Sequence, residues 1–473
     1  MVFNSLHFVW FFLVVYGAYR LIGHRAQNWL LLVASYYFYA SWDWRFLGLL
    51  LASTVVDYSC ALFLERAPTP ARRRAILCVS LGFNLTLLGF FKYFNFFADN
   101  LHALFGSLGW QVDFVTLRVL LPVGISFYTF VTMSYVIDVY RRETPATRDL
   151  LDFAVFVAFF PHLVAGPILR AANLLAQIER PRHITRDQVR DGAWLIAWGY
   201  FQKVFVADNL APLANAVFEP GTTQTGVNVL LGLYAFALQI YGDFAGYSNI
   251  ARGTSKLMGI ELIENFRFPY FVRTPQEFWR HWHISLSTWL RDYLYIPLGG
   301  SRGSEWQTRR NLFFTMVLGG LWHGAAWTFV IWGVYQGALL IAYRAASGAR
   351  IYRRLFVDAS PWARVTTWAL MLHLTCYGWL IFRSRSAGQI AALTGSLFGN
   401  FAPASIDTHQ LLIPLVLYAT PLLLVHGCEA WFDDGLIVPK LPTGVRYSLY
   451  AATFYLTMLF GNFGGAEFIY FQF

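Results

Sequence analysis

The sequence predicts an all-α, polytopic integral membrane protein, and three features of its composition lead to that fold class. Of its 473 residues, 57% are hydrophobic, against about 45–50% in a typical soluble domain. Charged residues make up 13%, where about 25% is usual, and aromatic residues reach 19%. So little polar surface cannot cover a water-soluble core. This composition therefore excludes a soluble globule, a nucleic-acid-binding domain and a disordered chain.

Apolar segments of suitable length recur along the whole chain. A helix needs about 20 mainly apolar residues to cross the hydrocarbon core of a bilayer. The candidate segments are 3–19, 28–40, 46–64, 76–97, 118–139, 192–217, 227–250, 365–382, 410–431 and 447–466. No linker rich in Pro, Ser or Gly divides them. We therefore expect about 10–12 transmembrane helices in one domain, residues 1–473.

The distribution of basic residues predicts the orientation of these helices. The net charge is +10, from 36 Lys and Arg against 26 Asp and Glu. The basic clusters are Arg20/Arg25, Arg66/Arg72–Arg74, Arg141/Arg142/Arg148, Arg252/Lys256 and the stretch 267–310. If the N-terminus lies outside, the first five segments place Arg20/Arg25, Arg66/Arg72–Arg74 and Arg141/Arg142/Arg148 in the cytoplasm. The positive-inside rule requires this. This pattern predicts a multi-pass protein of the cell inner membrane, surrounded by its lipids; anionic partners are the alternative explanation of the charge.

Two apolar segments do not fit this alternation. Residues 151–169 are interrupted by Pro161 and Pro167, and residues 311–343 form an apolar stretch of 33 that contains His323; both have basic flanks. Such segments are typical of re-entrant helices, whose irregular backbone must be buried in protein or line a water-filled cavity. We expect a cavity reached from the cytoplasm, with His323 deep inside it. Two short antiparallel helices joined by a conventional turn are the alternative.

The segment 275–297, inside a basic cytoplasmic region at 265–310, has the pattern of an amphipathic helix. Its polar residues recur at intervals of three and four: Arg280, His283, Ser287 and Arg291. One interpretation is a helix lying on the membrane surface; the other has the polar stripe facing the mouth of the cavity. His281 and His283 point about 200° apart on a helix and cannot bind one metal ion. No metal site is predicted.

His323 is the strongest candidate for chemistry. Its neighbours from 319 to 327 are almost all apolar, and an ionisable group at membrane depth is by default a functional-site hypothesis. Structural packing is the commoner role of a buried histidine. Burial favours the neutral imidazole, which can act as a general base on a hydroxyl. His162 is a weaker candidate of the same kind.

A polar run at 239–249 is a further candidate to line the cavity. Asp243 interrupts an otherwise apolar helix there and needs a partner, for which an arginine of 267–310 is one choice. We interpret Asp243 mainly as part of a structural ion pair or a hydrogen-bonded helix contact.

Several long motifs stand in order along nearly the whole chain. They are 1–5 (MVFNS), 160–167 (FPHLVAGP), 243–248 (DFAGYS), 278–287 (FWRHWHISLS), 289–300 (WLRDYLYIPLGG), 320–324 (GLWHG) and 468–473 (FIYFQF). With them the chain resembles the membrane-bound O-acyltransferase (MBOAT) family, specifically the branch of alginate O-acetyltransferases and teichoic acid D-alanyl transfer proteins.

The resemblance implies helices arranged around a central tunnel, with His323 as the active-site histidine and His283 as the second histidine lining it. Residues expected to bind substrate or donor are Arg280, Ser287, Arg291, Asp243 and Asn249. Asn249 stands where Asp is common, and His281 where Arg is common.

The resemblance also implies transfer of an acyl group, expected to be acetyl, without a bound cofactor. The donor would be acetyl-CoA or an acyl-carrier thioester in the cytoplasm, and the basic 267–310 surface could bind its phosphates or an acidic carrier. The acceptor would be an exported, alginate-like polysaccharide, reached with periplasmic relay or polysaccharide-acetylating proteins.

Three alternatives stay open. A covalent acyl-enzyme is one, although no Ser or Cys lies in a recognisable nucleophile motif. A transporter or flippase is another; such proteins usually contain two related halves, whereas 151–169 and 311–343 share no pattern. The third is a scaffold that recruits a carrier and has no chemistry of its own.

Overall fold

The computed structural model describes residues 1–110, 118–219, 224–400, 408–464 and 468–469. In these ranges every regular element is helical and no strand is present, so the predicted all-α class is confirmed. The end of the last apolar segment (465–466) and of the closing motif (470–473) lies outside them. Contacts divide the chain into two compact units, Met1–Val189 with Thr254–Ile263 and Arg190–Gly253 with Glu264–Phe473. The single-domain interpretation stays a prediction.

The helices follow the apolar segments closely. Those up to residue 185 are α1 (Leu6–Leu21), α2 (His24–Asp43), α3 (Leu47–Arg66), α4 (Pro70–Leu88), α5 (Phe94–Ser107), α6 (Ile125–Arg141), α7 (Leu150–Ala158), α8 (Phe160–Leu163) and α9 (Ala171–Ile178). The later ones are α10 (Arg186–Tyr200), α11 (Asp208–Phe218), α12 (Gly226–Leu257), α13 (Pro275–His281), α14 (Ile284–Leu290), α15 (Glu305–His323), α16 (Trp327–Ala346), α17 (Arg350–Tyr352), α18 (Pro361–Arg383), α19 (Ala387–Gly399), α20 (Thr408–Phe432) and α21 (Thr443–Phe460). Each of the ten predicted segments overlaps one or two of these helices.

Six helical stretches among the described residues are long and apolar enough to cross a membrane: His24–Arg66, Pro70–Ser107, Gly226–Leu257, Trp327–Ala346, Pro361–Arg383 and Thr408–Phe432. The first two each combine two α-helices with the short 3₁₀ or π-helical turn between them. A shorter apolar helix, Leu6–Leu21, precedes them. These helices agree with a polytopic membrane protein.

Helix starts carry the expected signals. The side chains of Ser5 and Ser360 accept hydrogen bonds from backbone N–H groups of the first turns of α1 and α18. Ser304 and Gln307 form a reciprocal capping box at the start of α15. Gly124, with φ at 76°, precedes α6 and delays it by seven residues relative to the predicted segment.

In the first unit, α3, α4 and α6 enclose a buried polar network. The carboxylate of Asp57 accepts hydrogen bonds from Ser80 Oγ at 2.5 Å and from Asn84 Nδ2 at 2.8 and 3.0 Å. All three side chains are fully buried. Because a buried polar group is costly unless it is bonded, this network favours one register of α3 against α4.

The interruption predicted in 151–169 is present. The helix breaks at Phe159, which has φ −48° and ψ 108°, and Pro161 lies in the first turn of the short helix α8. His162 is buried, and its Nε2 bonds to the carbonyl oxygen of Phe156 at 3.0 Å. The imidazole thus satisfies a backbone group of the broken helix, which is a structural role.

The segment 311–343 forms two antiparallel helices joined at residues 324–326, an arrangement that both interpretations of its pattern allow. Contacts pair Gly320 with Phe329 and Gly333 with Met316, so residue numbers rise in opposite directions along α15 and α16. A Cβ atom at Gly320 would lie 2.3 Å from the Phe329 carbonyl oxygen. Glycine therefore lets the backbones approach closely. His323 is the last residue of α15, at the tip of this hairpin.

We expect Gly320→Ala to destabilise the protein, although alanine favours a helix interior over glycine by about 1 kcal/mol. The new methyl group meets backbone, and overpacking costs about 1–3 kcal/mol. Gly348→Ala is the control, because a Cβ atom there meets nothing within 4 Å. Thermal unfolding of the detergent-solubilised protein measures both. Equal midpoints for the two variants would contradict the close packing of the hairpin.

Candidate active site

His283 lies at a break between two short helices, so the prediction of one amphipathic helix over 275–297 is wrong. Helix α13 ends at His281 and α14 begins at Ile284. Trp282 between them is extended, and His283 is left-handed, with φ 42° and ψ 54°. A left-handed residue turns the chain, so the spacing of the polar stripe does not continue across the break.

The break is held by a buried asparagine on the preceding segment. The Asn265 carbonyl oxygen accepts a hydrogen bond from Ile284 N at 2.9 Å. Its side-chain Oδ1 accepts from Ser285 N at 3.1 Å and from Ser285 Oγ at 2.8 Å. On the other side of the break, Arg267 N donates to the carbonyl oxygen of His281 at 3.0 Å. These bonds replace the intrahelical ones that a continuous helix would have made, which is why the chain can turn here.

The structure brings His283 and His323 together inside the second unit. Their ring centroids lie 6.4 Å apart, and the two residues are 1% and 5% exposed. Aromatic rings surround them: Phe244 and Trp322 lie 4.6 and 5.8 Å from His283, and Trp332 and Phe382 lie 5.1 and 5.4 Å from His323.

Burial lowers the pKa of His283 well below its usual range, and positive charge on His323 lowers that pKa further. His283 is therefore neutral at pH 7. A neutral imidazole can accept or donate a hydrogen bond at either nitrogen, depending on the tautomer. The pair of rings thus offers proton-accepting and hydrogen-bonding groups in a largely apolar surrounding.

The indole group of Trp332 adds a hydrogen-bond donor beside this pair, and the indole of Trp279 lies next to that of Trp332. The Nε1 atoms of Trp279 and Trp332 are buried, and neither has an acceptor among the described residues. The two indole rings lie 5.8 Å apart, and the ring of Trp332 meets that of His323 edge-on at 5.1 Å. A buried donor without an acceptor is rare in proteins and calls for an explanation, such as a role in catalysis.

The remaining members of the predicted stripe are less buried than His283. Arg280 and Arg291 are exposed, and Arg291 forms an ion pair with Asp292 at 2.6 Å. Ser287 is half-buried, and its Oγ donates to the carbonyl oxygen of Trp282 at 3.1 Å. Arg291 and Ser287 are thus bonded to neighbouring residues of the chain and not to His283.

The imidazole of His281 contacts the carbonyl oxygen of Arg267, which is a structural contact. In the part of the chain that the structure describes, no three side chains of His, Cys, Asp and Glu gather where they could hold a metal ion.

Asp243 pairs with Lys203, not with an arginine of 267–310 as the sequence suggested. Lys203 Nζ lies 2.8 Å from Asp243 Oδ1 and 2.9 Å from Asp208 Oδ1, and all three side chains are buried. The backbone N–H of Ile469 donates to Asp243 Oδ2 at 2.7 Å. This agrees with the interpretation of Asp243 as part of a structural ion pair. Sequence reasoning missed Lys203, yet a lone lysine in the apolar segment 192–217 was a usable signal.

Asn249 binds to the same part of the chain as Asp243. Its Nδ2 donates to Gln202 Oε1 at 2.8 Å, and its Oδ1 accepts from Arg252 Nη1 at 3.2 Å. Gln202 and Lys203 are neighbours in the π-helical turn Phe201–Ala207. One turn of the chain thus binds both polar residues of the run at 239–249 that the sequence singled out.

A polar cavity of about 450 Å³ lies at the open end of the α15–α16 hairpin. Its lining consists of Gln276, Glu305, Arg309, Tyr343, Arg344, Ala345, Ser347 and Tyr352. Glu305 is paired with Arg344 at 2.7 Å, which leaves Arg309 as the excess positive charge of the lining. Arg309 precedes His323 by 14 residues on α15, or about 21 Å at about 1.5 Å per residue.

Comparison with known proteins gives consistent results along the chain. The model of the membrane-bound O-acyltransferase family, MBOAT, matches residues 9–362. A probable alginate O-acetylase, AlgI, of Azotobacter vinelandii is 44% identical over 444 residues, which cover 92% of this chain and 87% of that protein. A peptidoglycan O-acetyltransferase of Helicobacter pylori is 34% identical over 419 residues, 82% of this chain and 77% of that protein. A teichoic acid D-alanyltransferase of Bacillus subtilis is 27% identical over 283 residues, 55% of this chain and 68% of that protein.

We expect Lys203→Met to destabilise the protein by about 3–5 kcal/mol, because it leaves two buried carboxylates without their cation. Lys440→Met is the control: Lys440 also pairs with an aspartate, Asp434, but its side chain is 51% exposed, and such surface pairs contribute about 0–1 kcal/mol. Thermal unfolding in detergent compares the two. A shift at position 203 no larger than at 440 would show that the buried ion pair does not hold the helices.

Proposed function

Because this chain belongs to the membrane-bound O-acyltransferase family, we propose that it moves an acetyl group from a cytoplasmic thioester across the inner membrane for O-acylation of an exported polysaccharide. O-acyl transfer itself follows from the family. The similarity to alginate O-acetylases over 92% of this chain supports an alginate-like acceptor. The observation that carries the catalytic part of the proposal is the buried imidazole pair at the tip of the α15–α16 hairpin.

His323 is the general base in this mechanism. Its imidazole takes the proton of the acceptor hydroxyl as the hydroxyl oxygen attacks the thioester carbonyl carbon. The carbon–sulfur bond then breaks, and the imidazolium returns the proton to the leaving thiolate. The step yields an ester and a free thiol with no net change in protons. General acid–base catalysis of this kind contributes about 10²–10⁴ to the rate.

The groups around His323 suit the oxyanion that forms during attack. His283, neutral and 6.4 Å from His323 between ring centroids, orients the donor or donates to the oxyanion. The indole N–H groups of Trp332 and Trp279 are further donors without an acceptor in the described residues. Donors fixed in a site that excludes water stabilise developing negative charge strongly, because they need no reorganisation during the reaction.

The donor enters from the basic end of the hairpin in our proposal. Arg309 and the cavity of about 450 Å³ beside it offer a positive, hydroxyl-bearing surface for phosphate oxygens. About 21 Å of helix α15 separates Arg309 from His323, and the pantetheine arm of the donor lies along this distance in our proposal. Both acetyl-CoA and an acyl-carrier protein present such an arm, and both stay within the proposal.

The topology assigned from the charge distribution completes the proposal. With its N-terminus outside, the chain forms a single transmembrane domain around a tunnel in which donor and acceptor meet from opposite sides. Holding two reactants end to end converts a bimolecular reaction into an effectively unimolecular one. Periplasmic partner proteins then pass the acetyl group to the polysaccharide.

We expect His323→Gln to lower the acyl ester content of the exported polysaccharide at least about 100-fold, because glutamine cannot act as a base. His426→Gln is the matched control, since His426 is also 5% exposed and lies on α20. Cells that express only the variant are compared by mass spectrometry of their polysaccharide, with the amount of membrane-inserted protein measured in parallel.

Preserved acylation in the His323→Gln variant, at normal protein levels, would reject His323 as the general base of the transfer. An equal loss of acyl esters in both variants would show that replacing any buried histidine disturbs the protein, so that the loss does not report on proton transfer by His323.

We expect Trp332→Phe to lower kcat by about 10²–10³-fold with little change in the KM for the donor, as the loss of one oxyanion donor does elsewhere. Phenylalanine retains an aromatic ring next to His323 and removes the N–H group. Trp198→Phe is the control, because Trp198 is also buried, at 3% exposed against 1% for Trp332, and its ring stacks on that of Phe201. Donor thiol release by the protein in proteoliposomes gives both constants. An unchanged kcat would restrict Trp332 to packing.

A further inference from the structure

A groove in the first unit is not accounted for by acyl transfer. Its volume is about 510 Å³, within the range of about 300–1,000 Å³ typical of small-molecule sites. Helices α2, α3 and the start of α7 form its walls. The lining consists of Arg25, Trp29, Leu32, Tyr36, Leu51, Thr54, Val55, Arg148, Asp149, Leu150, Leu151 and Ala154. Its charged members are confined to one end.

The apolar wall of the groove has the length of one leaflet of a bilayer. Arg25, Trp29, Leu32 and Tyr36 follow one another at intervals of four, three and four, so they share one face of α2. From Arg25 to Tyr36 this face extends about 16 Å, about half of a hydrocarbon core of about 30 Å. Trp29 and Val55 are each 55% exposed.

The helices that carry this wall belong to a candidate membrane span. Both α2 and α3 lie within the stretch His24–Arg66, which is long and apolar enough to cross a bilayer. Apolar side chains exposed on such a span face lipid tails. The open side of the groove is therefore in contact with hydrocarbon along its apolar length.

The charged end of the groove consists of two exposed arginines next to the start of α7. Arg25 Nη1 lies 2.5 Å from Asp149 Oδ2, while the other oxygen of Asp149 accepts from Leu151 N at 2.9 Å and caps α7. Tyr58 OH donates to the backbone carbonyl of Arg148 at 2.6 Å, and the Arg148 side chain is exposed. Arg25 Nη1 also lies 3.5 Å from Asp152 Oδ1, and the Asn28 side chain bonds to both Asp152 and Arg182. Three arginines against two aspartates leave this end net positive. A guanidinium has five N–H donors in a planar fork that fits a phosphate group.

We propose that this groove binds one anionic phospholipid, with its phosphate on Arg25 and Arg148 and one acyl chain along Trp29, Leu32 and Tyr36. An amphiphile with one anionic end matches a groove that is apolar along its length and basic at one end. Basic pockets between transmembrane helices are known to select anionic lipid headgroups. The site is independent of the acyl-transfer proposal, because none of its residues takes part in that mechanism.

The test uses the full-length protein in detergent and measures lipid binding by native mass spectrometry. The probes are phosphatidylglycerol and phosphatidylethanolamine of the same acyl chains, so that only the headgroup charge differs. We expect the wild-type protein to retain phosphatidylglycerol preferentially. Arg25→Gln combined with Arg148→Gln should weaken that binding about tenfold or more, because charge-assisted hydrogen bonds are lost.

Two further variants keep the result interpretable. Val55→Trp fills the groove without changing any charge and should also release the lipid. Arg20→Gln removes an exposed arginine of α1 that does not line the groove and should leave binding unchanged.

Equal retention of the two lipids by the wild type, or an undiminished preference in the double variant, would overturn the proposal. Competition by glycerol phosphate as effective as by the intact lipid would overturn it too, since it would assign the site to the headgroup alone. Normal acyl transfer by the double variant is compatible with the proposal, which concerns binding only.

Discussion

Backbone amides and carbonyls that cannot reach water must find partners inside the protein, and this constraint decides where the helices of a membrane protein can end. Asn265 satisfies this constraint at the break between α13 and α14. Its carbonyl oxygen accepts a hydrogen bond from the N–H of Ile284, and its side-chain oxygen accepts from the N–H and hydroxyl of Ser285. With those bonds in place, His283 adopts a left-handed conformation that costs a non-glycine residue about 1–2 kcal/mol. Its imidazole is thereby buried beside His323 instead of lying on a helix surface. In the first unit, the imidazole of His162 likewise forms a hydrogen bond with the carbonyl oxygen of Phe156.

The buried ion pairs and the histidine pair of the second unit have separate contacts. Adjacent residues of α12 illustrate this: Asp243 binds Lys203, while the ring of Phe244 lies 4.6 Å from that of His283. The charges of Lys203, Asp208 and Asp243 are thus paired with one another. The immediate neighbours of the two imidazoles are mainly aromatic, so burial is the main influence on the proton affinity of His283. His283 is therefore neutral near pH 7, with one ring nitrogen that can donate a hydrogen bond and one that can accept one.

The sequence was informative wherever a physical property is local. Apolar length located the helices, the interruption at Pro161 was visible, and His323 stood out because an ionisable residue in an apolar stretch is costly. It was less informative where the decisive partner is distant along the chain. The break at His283 depends on Asn265, and periodicity alone extended a helix through it. Lys203 lies 40 residues before Asp243, and arginines closer along the chain were the more obvious partners. The antiparallel course of α15 and α16 depends on glycine contacts between helices, which a pattern within one helix does not reveal.

The hairpin of α15 and α16 has a mechanical consequence. Glycines let its two backbones approach closely, and an ion pair between Glu305 and Arg344 joins the two helices at the open end. The hairpin is therefore rigid, and the imidazole of His323 lies at its far end. At about 1.5 Å per residue the arm is about 27 Å long, and a tilt of only about 2° at the base displaces the tip by about 1 Å. A displacement of that size is enough to change a reaction rate about 100-fold. In the proposed mechanism, a ligand bound in the cavity at Arg309, on the same helix, would therefore shift the His323 imidazole without any rearrangement of the residues between.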